Sequence, residues 1–402
     1  MPIKSLTERK MQNKYSKTIT ACFIGYIVQA IVNVFVPLLF INFQTAFNIP
    51  IEKITLLITI NFFIQLITDT AAAWIVDKIG YRICTVSAHI SAAAGLLLLS
   101  FLPQHLEDPY MGLIISVVLH AVGGGLIEVV ISPIVEACPG EHKDKTMSLL
   151  HSFYCWGSVG VILISALFFF VFGIDNWRVL SILWAVLPLA NAIVFSIVPL
   201  PSDKSKHHAA NIVQLIKNKY FWLFFAVIFC AGASESAIAQ WASVFAESSL
   251  KVSKTIGDIV GPALFAASMG LCRLLYGKAS DKINLEKAMT ASGILCTVFY
   301  LIIALVPYPP LALAGMALCG FSVGLMWPGT YSCAAAAIKD GGNAMFALLA
   351  LGGDLGCVGG PAVVGFVSGC FNGNMQPGIL LAAVFPACLT AALLLGRKSF
   401  HK

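Results

Sequence analysis

Long apolar runs alternate along the chain with short polar punctuation, and a membrane-spanning helix needs about 20 apolar residues. Cut at charged residues and at Pro/Gly punctuation, the sequence predicts twelve such helices. They lie near 18–45, 54–76, 81–102, 110–136, 147–172, 177–199, 219–246, 256–279, 287–307, 310–338, 343–370 and 377–396. The longest polar interruption, 200–218 (PSDKSKHHAANIVQLIKNK), divides them into a first bundle, 1–199, and a second, 219–402. An even number of crossings puts both termini on one side. That side collects twenty Lys/Arg residues, among them Lys4, Arg9, Lys78, Arg82, Lys143, Lys204 and Arg397. The other side has four, Lys53, Arg178, Lys251 and Lys254. The excess predicts a multi-pass protein of the cell membrane with both termini in the cytoplasm.

Composition narrows the function classes. Of 402 residues, 58% are hydrophobic and 11% charged, and the mean hydropathy is +0.87; soluble chains carry about a quarter charged residues. A soluble enzyme, a nucleic-acid binder and a disordered scaffold are therefore excluded. The net charge of +6 matters less as a sum than by its placement relative to the bilayer. Twelve cysteines stand singly, with no Cys-x-x-Cys pair, and read as small buried hydrophobes. The basic tail precedes about 28 mostly apolar residues, too long for a signal-peptide core, so the first helix is expected to stay in the membrane. No nucleophile–base pair, metal cluster or nucleotide-binding glycine loop lies outside the helices, which predicts neither an enzyme nor a cofactor. The expected partners are a small polar solute and the lipid bilayer, with no nucleic acid, and the chain is expected to act as a monomer.

The halves share a local pattern. Ala73-x-x-x-Asp77-Lys78-x-Gly80-Tyr81-Arg82 follows the second predicted helix, and Gly277-x-x-x-Asp281-Lys282 follows the eighth, 204 residues later. A repeat at half the chain length is expected of transporters built from duplicated bundles. With this pattern between helices 2 and 3 and again between helices 8 and 9, the chain resembles the major facilitator superfamily over its whole length. Ala73 stands where that pattern has its first Gly, and the second copy lacks the later one. The resemblance implies an all-α integral membrane fold, with twelve transmembrane helices in two pseudo-symmetric six-helix bundles that rock about a site near the midplane. It also implies a gating role for Asp77, Lys78, Gly80, Arg82, Gly277, Asp281 and Lys282, the two aspartates favouring the positive N-termini of neighbouring helices.

A narrower resemblance lies in helices 4 and 5. Gly125-x-x-Glu128-x-x-x-Ser132-Pro133, then Met147-x-x-x-His151-Ser152-Phe153-x-x-x-Gly157, is similar to the fucose permease branch, the fucose/galactose/glucose:proton symporters. That similarity implies proton coupling at Glu128. The branch's other acidic site, in helix 1, aligns with Asn33, four residues before Pro37. Either Glu128 couples alone, another carboxylate takes over, or the coupling ion is not the proton; Na+ is the alternative.

Ionisable groups at bilayer depth are functional hypotheses by default. Beside Glu128 these are Asp69, Asp354, Glu235 and Arg273. Asp69 and Asp354 are proton-coupling candidates, and with Arg273 they are also candidates for gating or for a fixed buried network. The superfamily's arrangement implies that Arg273 approaches His151 or Tyr154. His151 reads as a hydrogen-bonding group at the gate, and His89 and His120 as structural. In helix 7, Glu235, Gln240 and Trp241 suit a sugar, whose hydroxyls pair with carboxylates and amides while an aromatic ring stacks on its apolar face. The superfamily lines its cavity with helices 1, 4, 7 and 10. Read from those helices, the substrate-binding candidates are Gln29, Asn33, Ser132, Glu235, Gln240, Trp241, Trp327, Thr330 and Tyr331, although buried Ser and Thr often only bond back to their own helix. The expectation is a secondary active symporter of a small polar solute, a sugar by resemblance. A proton-coupled drug or metabolite exporter is the alternative. Exporters of this superfamily carry G-x-x-x-G-P-x-x-G-G in helix 5, where this chain reads Trp156-Gly157-Ser158-Val159-Gly160 without a proline; Gly356-x-x-x-Gly360-Pro361 occurs in helix 11 instead.

Overall fold

A computed structural model describes residues 6–138, 143–201, 212–279, 283–306, 308–338 and 342–400. Among them no strand occurs, and twelve helices are long and apolar enough to cross a membrane. In order they are helix 1 (Lys14–Phe47), 2 (Ile51–Ala71), 3 (Lys78–His105), 4 (Pro109–Val135), 5 (Leu149–Phe172) and 6 (Ile174–Ile197). Then follow helix 7 (Lys219–Ala239), 8 (Lys254–Tyr276), 9 (Leu285–Leu305), 10 (Pro309–Ala334), 11 (Leu348–Cys370) and 12 (Gln376–Gly396). Each occupies one predicted stretch. Asp108, Asn218 and Asn284 cap the starts of helices 4, 7 and 9, their side chains accepting from the backbone N–H of Tyr110, Tyr220 and Lys287. Large apolar side chains remain exposed, Leu395 at 80% and Phe170 at 73%. In water such a surface would drive aggregation; in a bilayer it is the surface that faces lipid.

Several helices are interrupted, and proline explains where. A 3-10 turn, Val36–Leu39, breaks helix 1 at Pro37, a π turn containing Pro262 interrupts helix 8 after its first five residues, and helix 10 breaks at Gly324 and Leu325. Helices 2 and 3 form one helical stretch, Ile51–His105, bent at Gly80 with φ 79° and ψ 161°, a conformation that only glycine adopts without strain.

Close contacts divide the chain into two compact units, one of residues 1–36, 64–161 and 168–205, the other of 37–63, 162–167 and 206–402. The first is built on Val28, Val32, Ala88, Ala92, Ile127, Ile131 and Phe195, all buried together. Gly123 sits where a Cβ would collide with the backbone of Ala88 and Ala92, so helices 3 and 4 touch main chain to main chain. Buried His89 is held at both ring nitrogens, Nδ1 against the Thr85 carbonyl at 2.7 Å and Nε2 against Asn191 Nδ2 at 2.8 Å. It is the structural residue expected. Arg82 reaches the end of helix 6 and donates to the carbonyls of Phe195 (2.9 Å), Ser196 (2.5 Å) and Val198 (2.9 Å). Those carbonyls lack intrahelical partners, and a cation there also meets the negative end of the helix dipole.

In the second unit, helices 7 and 11 form the tightest pair. A Cβ at Gly356 or Gly360 would strike the backbone of Phe229 or Ala233, and Gly353 lies under the ring of Trp327. Trp241 is 1% exposed, packs on Phe40 and donates Nε1–H to the Pro361 carbonyl at 3.0 Å. Lys254 ties Leu38 to Glu247, donating to the Leu38 carbonyl at 2.7 Å and pairing with the carboxylate at 3.3 Å.

Candidate functional site

In the first unit the polar residues of helices 1, 2, 4 and 5 converge at bilayer depth. Gln29 and Asn33 are one turn apart on helix 1. Gln29 donates Nε2–H to Glu128 Oε2 at 2.6 Å. Asn33 accepts from Gln65 Nε2 at 2.8 Å and donates to the Tyr154 hydroxyl at 3.5 Å. One turn beyond Glu128, Ser132 shares a 2.9 Å hydrogen bond with Tyr26, whose ring meets His151 edge-on at 5.2 Å. Four residues past Gln65, and therefore on the same face of helix 2, Asp69 presents a carboxylate oxygen within 4.8 Å of one from Glu128.

The glycines of helix 4 make this approach possible. A Cβ at Gly124 would press on Val32 of helix 1 at 3.0 Å and touch the Gln65 amide at 3.4 Å, and one at Gly125 would fall 2.8 Å from Asp69 Oδ1 and 3.0 Å from the Gln65 carbonyl. Bare backbone at Gly125 is what admits helix 2, and at Gly124 it leaves room for Val32 of helix 1. Asn33 and Gln29 are 6% and 4% exposed, whereas Asp69 and Glu128 are half-buried. The carboxylates are thus half-buried groups, Asp69 Oδ1 itself buried, set in a sealed amide scaffold.

The second unit carries a different arrangement. Arg273 of helix 8 lies with Nη2 3.7 Å from Glu235 Oε2 of helix 7. Its Nε–H donates to the Gly324 carbonyl at 3.2 Å. Pro328 has no N–H to offer that carbonyl, so the break in helix 10 creates an acceptor and Arg273 fills it. Within its own unit the Arg273 guanidinium is engaged by Glu235 and by the backbone of helix 10. Trp327 and Tyr331, one turn apart on helix 10, are half-buried, as is Asp354 on helix 11.

Two expected substrate contacts are sealed. Thr330 is 0% exposed and its hydroxyl bonds back to the Met326 carbonyl at 2.6 Å, and the Trp241 indole has its donor on Pro361. Gln240, at 8%, is also buried. Of the gating residues, Lys78 is exposed and Gly277 lies in the helix Leu264–Ala279, while Asp281, Lys282 and the side chain of Asp77 fall outside the described residues. Sequence reasoning missed Gln65, Tyr26 and the Glu235–Arg273 pair. Gln65 was detectable as the residue one turn before Asp69, and Tyr26 as the polar group one turn before Gln29.

The family model of the Major Facilitator Superfamily matches residues 18–361. No curated protein sequence matches the chain. Among solved structures, the E. coli fucose:proton symporter FucP is similar at 16% identity and a TM-score of 0.66, over 95% of this chain and 99% of that one. A bacterial homologue of the human lysosomal transporter Spinster, inward-facing and occupied, is similar at 14% identity and a TM-score of 0.77, over 96% and 97%. The nucleoside transporter NupG is similar at 14% identity and a TM-score of 0.73, over 94% and 98%. At these identities the likeness is one of fold.

Proposed function

The chain belongs to the Major Facilitator Superfamily, and on that premise we propose that it moves a small polar solute, a sugar, across the cytoplasmic membrane in symport with protons. Both termini lie in the cytoplasm, and transport runs by alternating access. The observation that carries the reading is the Gln29–Glu128–Asp69 constellation, two half-buried carboxylates within 4.8 Å of each other and one of them oriented by a buried amide. Two ionised carboxylates this close repel in a low-dielectric setting, and a proton held between them relieves the repulsion. Asp69 of helix 2 supplies the second acid that Asn33 cannot. In the second unit, Glu235 with its Arg273 partner, Trp327 and Tyr331 offer hydrogen bonds and an aromatic face to a hydroxylated ring. For the exporter reading, the glycine–proline stretch of helix 11 was the supporting feature, and Gly356 and Gly360 are taken up by packing on helix 7.

The test is uptake of a labelled monosaccharide panel into proteoliposomes under an imposed pH gradient, a sodium gradient or neither. Accumulation of one sugar under the inward proton gradient is expected. Glu128→Gln is expected to lose accumulation while retaining exchange of that sugar. If no sugar moves under any gradient, the sugar reading is wrong, and export of cationic and aromatic compounds becomes the next assay.

A further inference from the structure

Helices 9 and 10 bring two thiols together inside the second unit. Cys296 Sγ lies 3.7 Å from Cys319 Sγ, both residues are 0% exposed, and both thiols are free. The seam around them is close. One turn before Cys319, a Cβ at Gly315 would fall 3.2 Å from Ile303 of helix 9. One turn beyond Cys296, Tyr300 donates its hydroxyl to the Ser234 carbonyl of helix 7 at 2.7 Å, so helix 9 is held on that side as well. Helix 9 ends at Leu305 and helix 10 starts at Pro309, which puts the two thiols about 14–15 Å from the intervening hairpin at about 1.5 Å per residue. In a hydrocarbon core about 30 Å thick, that depth is the middle of the bilayer. Bonded disulfide sulfurs are about 2.05 Å apart, so the pair has about 1.7 Å left to close. One rotamer step carries a sulfur farther than that.

We propose that Cys296 and Cys319 form an oxidation site, closed to a disulfide by a hydroperoxide that has entered the bilayer, and that the bond ties helix 9 to the first piece of helix 10, Pro309–Val323. In the first step one sulfur attacks the peroxide: an S–O bond forms, the O–O bond breaks, and water departs, leaving a sulfenic acid. In the second step the other thiol attacks that sulfur, the S–S bond forms, the S–O bond breaks and a second water departs. The two sulfurs lose two electrons to the peroxide, and the two thiol protons leave in the waters. Burial governs both directions. Peroxide reaches the pair only when the packing opens, so the site answers sustained exposure in preference to a brief pulse. Glutathione is charged and is kept from the middle of the bilayer, so the bond outlasts the return of reducing conditions in the surrounding water. The second piece of helix 10, Met326–Ala337, lies beyond the break at Gly324 and Leu325 and is left untied.

The site is read without any solute, so it stands or falls separately from the sugar assay. Full-length purified protein in lipid nanodiscs is held in hydrogen peroxide, treated with catalase, unfolded in the presence of an alkylating agent and digested for mass spectrometry. The expected product is a peptide pair joining Cys296 to Cys319, with both thiols lost together as exposure lengthens. Cys296→Ala and Cys319→Ala are expected to give no such product. Cys333, whose sulfur neighbour on the same seam is the Met289 thioether at 3.8 Å, is the control, since a thioether cannot complete a disulfide. In glutathione the link is expected to persist in the folded protein and to vanish after unfolding in SDS. The linked protein should also unfold at a higher midpoint than unoxidised protein, because a bond between residues 23 positions apart restricts the unfolded chain. Recovery of both thiols in alkylated form, under exposure that oxidises exposed Cys370 and Cys388, overturns the site. So does their conversion to sulfinic or sulfonic acid without a link, loss of Cys333 in step with them, or a link that forms only in unfolded protein. A link that glutathione removes from the folded protein, or that leaves the midpoint unraised, overturns the sheltered tie. Should either variant fail to fold, the linked peptide of the unaltered protein decides alone.

Discussion

Gln29 shows how one side chain can set the state of another. Its amide donates to Glu128 at 2.6 Å, and rotation about its last torsion would let the same amide offer its carbonyl there instead. Gln29→Leu removes both options, so transport should be depressed at least tenfold across the pH range, and the pH profile of uptake should shift from that of the unaltered protein. An unchanged profile would make Gln29 a packing residue. Trp241 is the converse case, singled out in the sequence for its aromatic face and found at 1% exposure with its donor satisfied. Trp241→Ala should lower unfolding stability by about 3 kcal/mol or more, the usual cost of emptying a buried aromatic site, while exchange by the folded fraction keeps its solute preference. Residue identity alone cannot separate these roles, because an indole that stacks on a ligand and one that fills a core have the same chemistry. The partner decides, and for Trp241 the partner is a carbonyl 120 residues away.

At the scale of elements, the twelve spans were legible because the bilayer imposes one length on every apolar run, and nothing else in this chain has that length. The breaks were half legible, since Pro37, Pro262 and Pro328 mark backbone that cannot stay helical, but not which group would take up a freed carbonyl. The approach of helices 2 and 4 was not legible. It depends on the register in which Gly124 and Gly125 meet Gln65 and Asp69, and a sequence carries no register between helices so far apart. The spacing of eight residues from Asp77 tied Asp69 instead to Arg273 as equivalent positions of a duplication. That equivalence is real as sequence, yet one residue sits beside a carboxylate and the other beside Glu235. Helix packing also gives a paired prediction. Gly356→Leu should unfold at markedly lower temperature, because its Cβ meets the Phe229 backbone, whereas Gly359→Ala should be nearly silent, its Cβ lying 3.5 Å from the Phe229 ring in ordinary contact. Gly80→Ala should cost about 1–3 kcal/mol for its glycine-only backbone conformation alone.

For the whole molecule, the distribution of Lys and Arg predicts which loops share a side. In a background with exposed Cys370 and Cys388 replaced by serine, Asp175→Cys should react with a membrane-impermeant maleimide added to intact cells. Lys78→Cys should react only after the membrane is opened. The reverse result would invert the assignment of both termini to the cytoplasm. The duplication was visible in the repeated loop pattern, but the division of labour was not. The first unit holds the paired acids and the second a matched acid and base, an asymmetry that a count of charged residues conceals.

Arg82 adds a consequence in time. Its acceptors at the end of helix 6 lie 113 to 116 residues further along the chain. At about 5–20 residues per second of synthesis, the guanidinium is made and then waits about 6–23 s before the carbonyls it will hold have left the ribosome. On the proposed orientation it serves through that interval as one of the positive charges that hold the loop between helices 2 and 3 at the cytoplasmic face. When helix 6 arrives, the same side chain turns from an address label into a fastener, and the assembly of the first half has a definite last step.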